Sequence, residues 1–476
     1  MPRITIIGAG PGGYTAAFEA ARSGCEVTLV EKAEMGGTCL HSGCIPTKTI
    51  KASAEALESS RRLTEFGIMP EQGEVSFRVD MAAVVARKER IRKLLCAGLE
   101  KTNAALKIRR LRGRAELASS KLVLVHGPDG VQQVSGDYII LATGSRILQL
   151  PSLPVDHQSI IDSDDALQLE RLPKRMLIVG GGVIGCELAF IFRSFGVETS
   201  IVEALDRLLP LPSLDEEISK LLQREAKKRG IRTELARVVK AVRKTEQGLL
   251  CTLGPSPFVE GAADPDSEME SDMLLVAVGR CPDTEGLGLD KLGLECDERG
   301  WIKVDTRLQS SVSGIYAIGD ALGPARIMLA HVAAAEGLCA LANCLGQERH
   351  MDYSLVPSAI FTTPEIGSVG LAENEARARG YVVRSASFQF RELGKAQAMG
   401  EIAGIFKLVC EEGSGRVLGA HIIGAHATDL VAEAALAIRH GLTAEQIAAT
   451  IHAHPTLAEG MYETAENWLR AARNNA

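Results

Sequence analysis

Two cysteines five positions apart, Cys39 and Cys44, lie in the run Gly36-Gly37-Thr38-Cys39-Leu40-His41-Ser42-Gly43-Cys44-Ile45-Pro46-Thr47-Lys48. Such a pair has three ordinary uses: two buried apolar thiols, part of a zinc site, or a disulfide. Zinc takes about four ligands, usually grouped as C-x₂₋₄-C pairs, and no second pair or suitable histidine pair follows. Positions i and i+5 rise ~7.5 Å along a regular helix, beyond the ~4.4–6.8 Å Cα separation of a disulfide. A bridge therefore needs a distorted turn, which Gly43 and a Pro46 in the first turn of a helix allow. In a reducing compartment such a bridge would be redox-active rather than structural. Cys25, Cys96, Cys186, Cys251, Cys281, Cys296, Cys339, Cys344 and Cys410 are expected to be buried thiols.

The segment before the pair is a nucleotide-binding unit. Ile4 to Ile7 leads into Gly8-Ala9-Gly10-Pro11-Gly12-Gly13, then a helical stretch, then Val27 to Val30 ending at Glu31. Gly8 permits the tight turn, Gly10 lets a pyrophosphate approach the backbone, and Gly13 lets helix and strand pack closely. The helix N-terminus favours the phosphates, and Glu31 is placed for a ribose diol. One such motif is weak, but the unit recurs. Met176 to Val179 leads into Gly180-Gly181-Gly182-Val183-Ile184-Gly185, a helix, and Thr199 to Val202 ending at Glu203. Each acid falls 18 residues after its last glycine, and the units are offset by 172 residues throughout. The chain is expected to bind two dinucleotides. Glu203 suits the free 2′-hydroxyl of NAD and repels the 2′-phosphate of NADP, while Arg207, beside Asp206, is the one nearby cation opposing that reading.

Composition agrees with a multidomain globular protein. The chain has 476 residues, 46% hydrophobic and 24% charged, with a formal net charge of −7. That balance excludes a disordered or collagenous chain, and the absence of a long basic run disfavours nucleic acid. No stretch approaches the ~18 apolar residues of a membrane span. The N-terminal MPRITIIGAGPGG runs straight into the first motif, so its removal as a signal peptide would destroy that motif; a cytoplasmic location is expected.

GGTCLHSGCIPTK resembles the redox-active segment of the pyridine nucleotide–disulfide oxidoreductases. Other segments agree in order. Ala142-Thr143-Gly144 is similar to the turn closing the family's first FAD segment, and VAVGRCPDT (276–284) to its V-G-R-x-P-N-T stretch, with Asp283 where asparagine is usual. Ile318-Gly319-Asp320 resembles the second FAD motif, and His454-Pro455-Thr456-Leu457-Ala458-Glu459 the H-P-T-x-x-E segment of the members that oxidise dihydrolipoamide. Between the cysteines the family usually has Leu-Asn-Val-Gly, and here Leu-His-Ser-Gly stands. His41, if protonated, would lower a neighbouring thiol's pKa; a tolerated surface variation is the alternative.

The resemblance implies an α/β chain with two Rossmann-like dinucleotide-binding domains and a C-terminal α+β dimerisation domain. The expected layout is 1–146 for the first FAD segment, 147–270 for NAD, 271–344 completing the FAD side, and 345–476 for the dimer interface. It implies a Cys39–Cys44 disulfide, with Cys39 exchanging with substrate and Cys44 against the flavin, and His454 as base oriented by Glu459. His452 is read as structural. The implied FAD set is Gly8, Gly10, Gly12, Gly13, Glu31, Lys32, Gly37, Thr38, Lys48, Gly113, Thr143, Gly144, Ser145, Asp320 and Met328-Leu329-Ala330-His331. For NAD it is Gly180, Gly182, Val183, Ile184, Gly185, Glu187, Glu203 and Gly279, with no metal. Lys48 and Glu187 are expected to pair, Glu187 in the first helical turn. The implied reaction is oxidation of protein-bound dihydrolipoamide with NAD⁺ by a homodimer served by a lipoylated carrier protein. An NADPH-driven disulfide or metal reductase and a non-catalytic nucleotide-binding scaffold are the competing readings. GPSPFVEGAADPDSEMES (254–271) is Pro/Gly/acid-rich and is expected to be a long exposed loop within the NAD domain.

Overall fold

The computed structural model describes residues 1–71, 76–262 and 264–474. Its first sheet is wholly parallel, with strands in the order Ile315–Ala317, Tyr138–Leu141, Arg3–Ile7, Glu26–Glu31 and Arg109–Arg112. The β-branched runs at its centre are buried on both faces, as parallel strands covered by helices must be. A second parallel sheet orders Arg232–Glu234, Glu198–Val202, Arg175–Val179, Met273–Val276 and Ile160–Ile161. In both, the strand preceding the glycine turn is central, so each turn opens at the carboxyl edge where α/β sheets bind ligands.

The chain leaves the first sheet after Leu141, builds the second, and returns at Ile315–Ala317. Met273–Val276 belongs to the second sheet, so that unit runs past the boundary expected at 270. Each parallel sheet carries a three-stranded antiparallel appendage, Arg114–Ser135 on the first and Arg237–Ser271 on the second. The segment expected as a loop over 254–271 is shorter than that. Gly248–Pro255 and Ser267–Ser271 are paired strands, which leaves 256–266 as connection, with residue 263 outside the described residues. Alternating Leu249, Cys251 and Leu253 are buried, and this period-two face pulls the polar flanks into the ladder.

The C-terminal part is a five-stranded sheet whose helices, Ala427–Arg439 and Glu459–Asn474, pack Val431, Ala434, Met461 and Trp468 against Phe406 and Ile422. Among the described residues no helix is long and apolar enough to cross a membrane. Six of the nine other cysteines are buried, whereas Cys25, Cys281 and Cys296 are only partly so. Those three lie near sheet and turn margins, where a small apolar residue is tolerated half in solvent.

Candidate active site

The glycine turns are built by close contact. A Cβ on Gly13 would lie 1.9 Å from the Gly8 carbonyl oxygen, and one on Gly185 would lie 1.9 Å from that of Gly180. Gly10 and Gly182 cap their helices without any side-chain hydrogen bond, so the first amides stay free for an anion. Val183 and Ile184 open the second helix. Gly12 serves packing instead: its Cβ would meet the Ala333 carbonyl oxygen at 2.8 Å, where the helix Ala330–Cys344 crosses. Met328, Leu329 and His331 surround that helix's uncapped start, and His331 Nε2 lies 2.9 Å from the Pro357 carbonyl oxygen.

Around the first turn, Gly37 approaches Gly10 closely enough that a Cβ would reach its Cα at 2.6 Å, and Gly113 is pinned by its amide to the Glu31 carbonyl at 3.0 Å. Ser145 Oγ donates to Asp320 at 2.7 Å and accepts from Arg280 Nε at 2.6 Å. Gly144 and Gly279 stand at matching positions after the Ala142 and Ala277 turns, both with positive φ. Thr143 Oγ1 is buried without a partner. An orphaned hydroxyl beside free helix amides and a diol-facing Glu31 fits FAD at the first unit, and Glu203 with the free amides fits a pyridine nucleotide at the second. Lys32 is committed elsewhere, paired with Asp283.

Between Gly37–His41, a short helix containing Thr38, and the helix Cys44–Arg61, the chain breaks at Ser42 and Gly43. Both cysteines are thiols here. Cys44 is the first residue of an 18-residue helix, where the dipole favours a thiolate. A hydrogen bond from the Cys39 thiol lowers Cys44 to about 7, against burial, with Lys48 helping. The same bond and burial push Cys39 up. One helical turn after Cys44, Lys48 Nζ donates to both Glu187 oxygens at 2.8 and 3.0 Å and lies 4.3 Å from the Phe361 ring centre. Glu187 is buried and stands on the second turn of Val183–Ser194, not the first; Phe361 N–H also donates to it at 2.9 Å.

His454 Nδ1 lies 2.8 Å from Glu459 Oε1, and the other carboxylate oxygen accepts the Thr456 amide at 2.8 Å. The Thr456 amide, then His454, holds Glu459 below the usual carboxylate range. The His454 side chain is 76% exposed, so Nε2 faces outward. Among the described residues, no hydrogen bond joins it to either cysteine of its own chain.

Residues 2–337 match the pyridine nucleotide-disulphide oxidoreductase family, and residues 356–465 match that family's dimerisation domain. The chain belongs to this family. It is 42% identical to a dihydrolipoyl dehydrogenase of Chlamydia muridarum over 462 residues, 97% of this chain and 95% of that one. It is 39% identical to one from Halobacterium salinarum, covering 98% and 96%. Among solved structures it resembles LpdA of Mycobacterium tuberculosis, with a TM-score of 0.88 at 27% identity over 98% and 99% of the two chains. It also resembles the HOCl-induced flavoprotein disulfide reductase RclA of Escherichia coli bound to Cu(II), with a TM-score of 0.85 at 26% identity over 98% and 99%.

Within this oxidoreductase, several side chains have roles that their positions in sequence did not signal. His41 Nε2 donates to the Met35 carbonyl oxygen at 2.8 Å, and Nδ1 accepts from Arg92 at 3.0 Å. Both ring nitrogens are thus engaged by the Met35 carbonyl and Arg92 rather than by either thiol. Arg207 donates to the carbonyls of Leu211 and Leu214, at 2.9 and 3.4 Å, which removes its guanidinium from the role of a 2′-phosphate anchor. His452 is partly buried, its side chain tied to Glu433 at 3.0 Å, which agrees with a structural role. Phe361, Arg280 and Glu336 were not signalled. Glu336, buried and pushed up to about 7 by that burial, accepts from the Gly319 amide and the Tyr353 hydroxyl, both at 2.5 Å. It stands five residues after His331 on the same helix.

Proposed function

We propose that this protein oxidises protein-bound dihydrolipoamide to lipoamide and reduces NAD⁺ to NADH. The observation that carries the reading is the Lys48–Glu187 bridge, which ties the Cys44 helix to the first helix of the second nucleotide unit. It brings a reactive thiol pair and two nucleotide sites to one place. The dihydrolipoyl dehydrogenases similar over almost the whole chain support the choice of substrate.

In the oxidised state Cys39 and Cys44 are joined. His454, oriented by Glu459, takes a proton from one substrate thiol, and the thiolate attacks Cys39 Sγ. The Cys39–Cys44 bond breaks and Cys44 departs as a thiolate, favoured by the helix terminus and Lys48. The second substrate thiol then closes the lipoyl ring on its partner sulfur, the bond to Cys39 breaks, and that thiol's proton passes to Cys39 as it leaves. Two electrons and two protons have left the substrate, and the cysteine pair is reduced. FAD held at the first nucleotide unit would supply the two-electron redox chemistry that links this dithiol to NAD⁺. Lys48 and Glu187 hold the seam between the two nucleotide sites, and Glu31, Thr143, Ser145 and Asp320 are proposed to hold FAD.

The match of 356–465 to a dimerisation domain supports a homodimer, with His454 acting on the partner subunit's cysteine pair. A lipoylated carrier of a multienzyme complex is the proposed substrate protein, and the cytoplasm the proposed compartment. Assaying the purified protein with dihydrolipoamide and NAD⁺, against glutathione disulfide and NADPH, tests the reading. Faster turnover of the second pair would overturn it.

A further inference from the structure

The described stretch 256–262 of the connection has a root that is fixed and carries an uncovered Phe258. Pairing in the hairpin ends at Leu253↔Ser267 on one side and continues to Pro255 on the other, so the chain crosses with many more residues than the two a tight turn needs. Its base is bonded, step by step, to the proposed ribose-binding carboxylate. Glu203 Oε1 accepts the Leu205 amide at 2.7 Å, and the Leu205 carbonyl accepts the Ala236 amide at 2.8 Å. The Ala236 carbonyl accepts the Ser256 amide at 2.9 Å, and Ser256 Oγ accepts the Phe258 amide at 3.2 Å.

Ser256 is 4% exposed, whereas Phe258 is 71% exposed and Leu205 36%. Ala236, at the turn between them, has φ +52°, a left-handed conformation that non-glycine residues seldom adopt and that collects at ligand sites. This cluster sits past the carboxyl ends of the neighbouring strands Glu198–Val202 and Arg232–Glu234, the edge where an α/β sheet takes its nucleotide. A diol held by Glu203 leaves the attached base to lie over these loops. The cations there are already committed: Arg207 to carbonyls, Arg237 to the Leu253 and Pro265 carbonyls and Ser267, and Lys240 to Asp266. The large apolar side chains left exposed there are Leu205 and Phe258.

We infer that Phe258 is a stacking platform for the adenine of the pyridine nucleotide, and that the connection 256–262 forms one wall of the adenine pocket. The inference rests on the NAD reading of the second fingerprint. An aromatic face recognises any flat base without hydrogen-bond readout, so the contribution is to affinity for the adenosine half.

The test uses the purified FAD-loaded protein and two halves of the coenzyme, ADP-ribose and nicotinamide mononucleotide, titrated by calorimetry. Phe258→Ala should weaken ADP-ribose about 5- to 100-fold, the range of base–aromatic stacking, and leave nicotinamide mononucleotide unchanged. Phe258→Tyr, which keeps a ring, should bind ADP-ribose within about twofold of the parent. At saturating NAD⁺ the kcat of Phe258→Ala should be unaltered while KM for NAD⁺ rises. Equal ADP-ribose affinity in the parent and Phe258→Ala overturns the inference and leaves the NAD reading standing. Failure of the parent to bind ADP-ribose at all removes both.

Discussion

Glu31 and Glu203 stand 172 residues apart and make the same two hydrogen bonds. Glu31 accepts the amides of Ala9 and Ala33, at 2.8 and 2.9 Å, and Glu203 those of Gly181 and Leu205, at 2.5 and 2.7 Å. Each carboxylate thereby locks its glycine turn to the end of the next strand. Each keeps lone pairs for a ribose diol, because an ionised carboxylate has about four acceptor sites. The repeat in sequence is thus a repeat in hydrogen bonding.

Cofactor choice follows from this geometry. Glu203 is fixed in place by two amides and Arg207 is bonded to backbone carbonyls, so a 2′-phosphate would meet a carboxylate and no free guanidinium. NAD should be preferred over NADP by at least about tenfold in kcat/KM, ~1.4 kcal/mol. Glu203→Gln should narrow that ratio by removing the repulsion. Equal use of the two coenzymes by the parent would show that Arg207 breaks its carbonyl bonds to bind phosphate.

The two thiols should separate by function and by pH. Reduced protein should show a long-wavelength absorbance from a Cys44 thiolate against the flavin, and this should fade as pH falls through about 7. Cys39→Ser should keep or strengthen the band with turnover abolished, and Cys44→Ser should lose it. Lys48→Met, which removes the nearest positive charge, should move the midpoint up by about one pH unit. A band that survives in Cys44→Ser would exchange the two assignments.

A buried cluster at the seam between the second nucleotide unit and the C-terminal sheet makes a stability prediction. Lys407 Nζ lies 3.0 Å from both Asp215 and Glu373, with Lys407 and Asp215 almost fully buried. Burial opposes ionisation of Asp215, and Lys407 overrides it, holding the carboxyl below its usual value. That contribution is complete above the unfolded value of about 3.9 and is lost as pH falls through the lower folded value. Lys407→Met should cost about 3–5 kcal/mol at neutral pH by stranding Asp215. Thermal unfolding should show the gap from the parent narrowing in acid, where Asp215 is protonated in both. A gap independent of pH would assign the loss to packing alone.

Much of this site was legible because its chemistry sits in contiguous runs. A glycine turn, its helix and its acid fall within one βαβ unit, so their spacing carries their relation, while Cys39, Cys44 and Lys48 lie within ten residues, a run short enough for its resemblance to the family's redox segment to be read directly. What was not legible depends on the meeting of distant segments. Phe361 reaches Glu187 across 174 positions, Asp283 reaches Lys32 across 251, and no local pattern encodes either pairing. His41 carried two readings, an electrostatic role and a tolerated variation. Its place between two cysteines suggested an electrostatic role, but its ring is turned to Met35 and Arg92, an orientation set by the helix Met81–Ala105. The 254–271 segment was misjudged because polar composition hid a period-two strand at each end.

His454 lies in the dimerisation-domain match with Nδ1 fixed on Glu459 and Nε2 turned to solvent, and among the described residues no hydrogen bond joins it to Cys39 of its own chain. Ile451, 98% exposed, and Leu436, 61% exposed, offer apolar surface in the same part of the chain. This arrangement fits a base that completes a site in the partner subunit. His454→Gln should lower dihydrolipoamide oxidation by about 10²–10⁴-fold, the usual worth of a positioned acid–base group, with FAD content unchanged. Glu459→Gln should act in the same direction, because it loosens the tautomer and orientation of the ring. If the base acts across the interface, mixing inactive Cys39→Ser with inactive His454→Gln chains should restore activity. In each heterodimer one of the two sites then has Cys39, Cys44 and His454 intact. Random reassortment makes about half of the dimers heterodimers, so activity should recover to roughly a quarter of that of the parent, set by the one trans site per heterodimer. If subunit exchange is confirmed by mass and activity stays at zero, His454 and the cysteines must act within one chain, and the dimer would no longer be needed for catalysis.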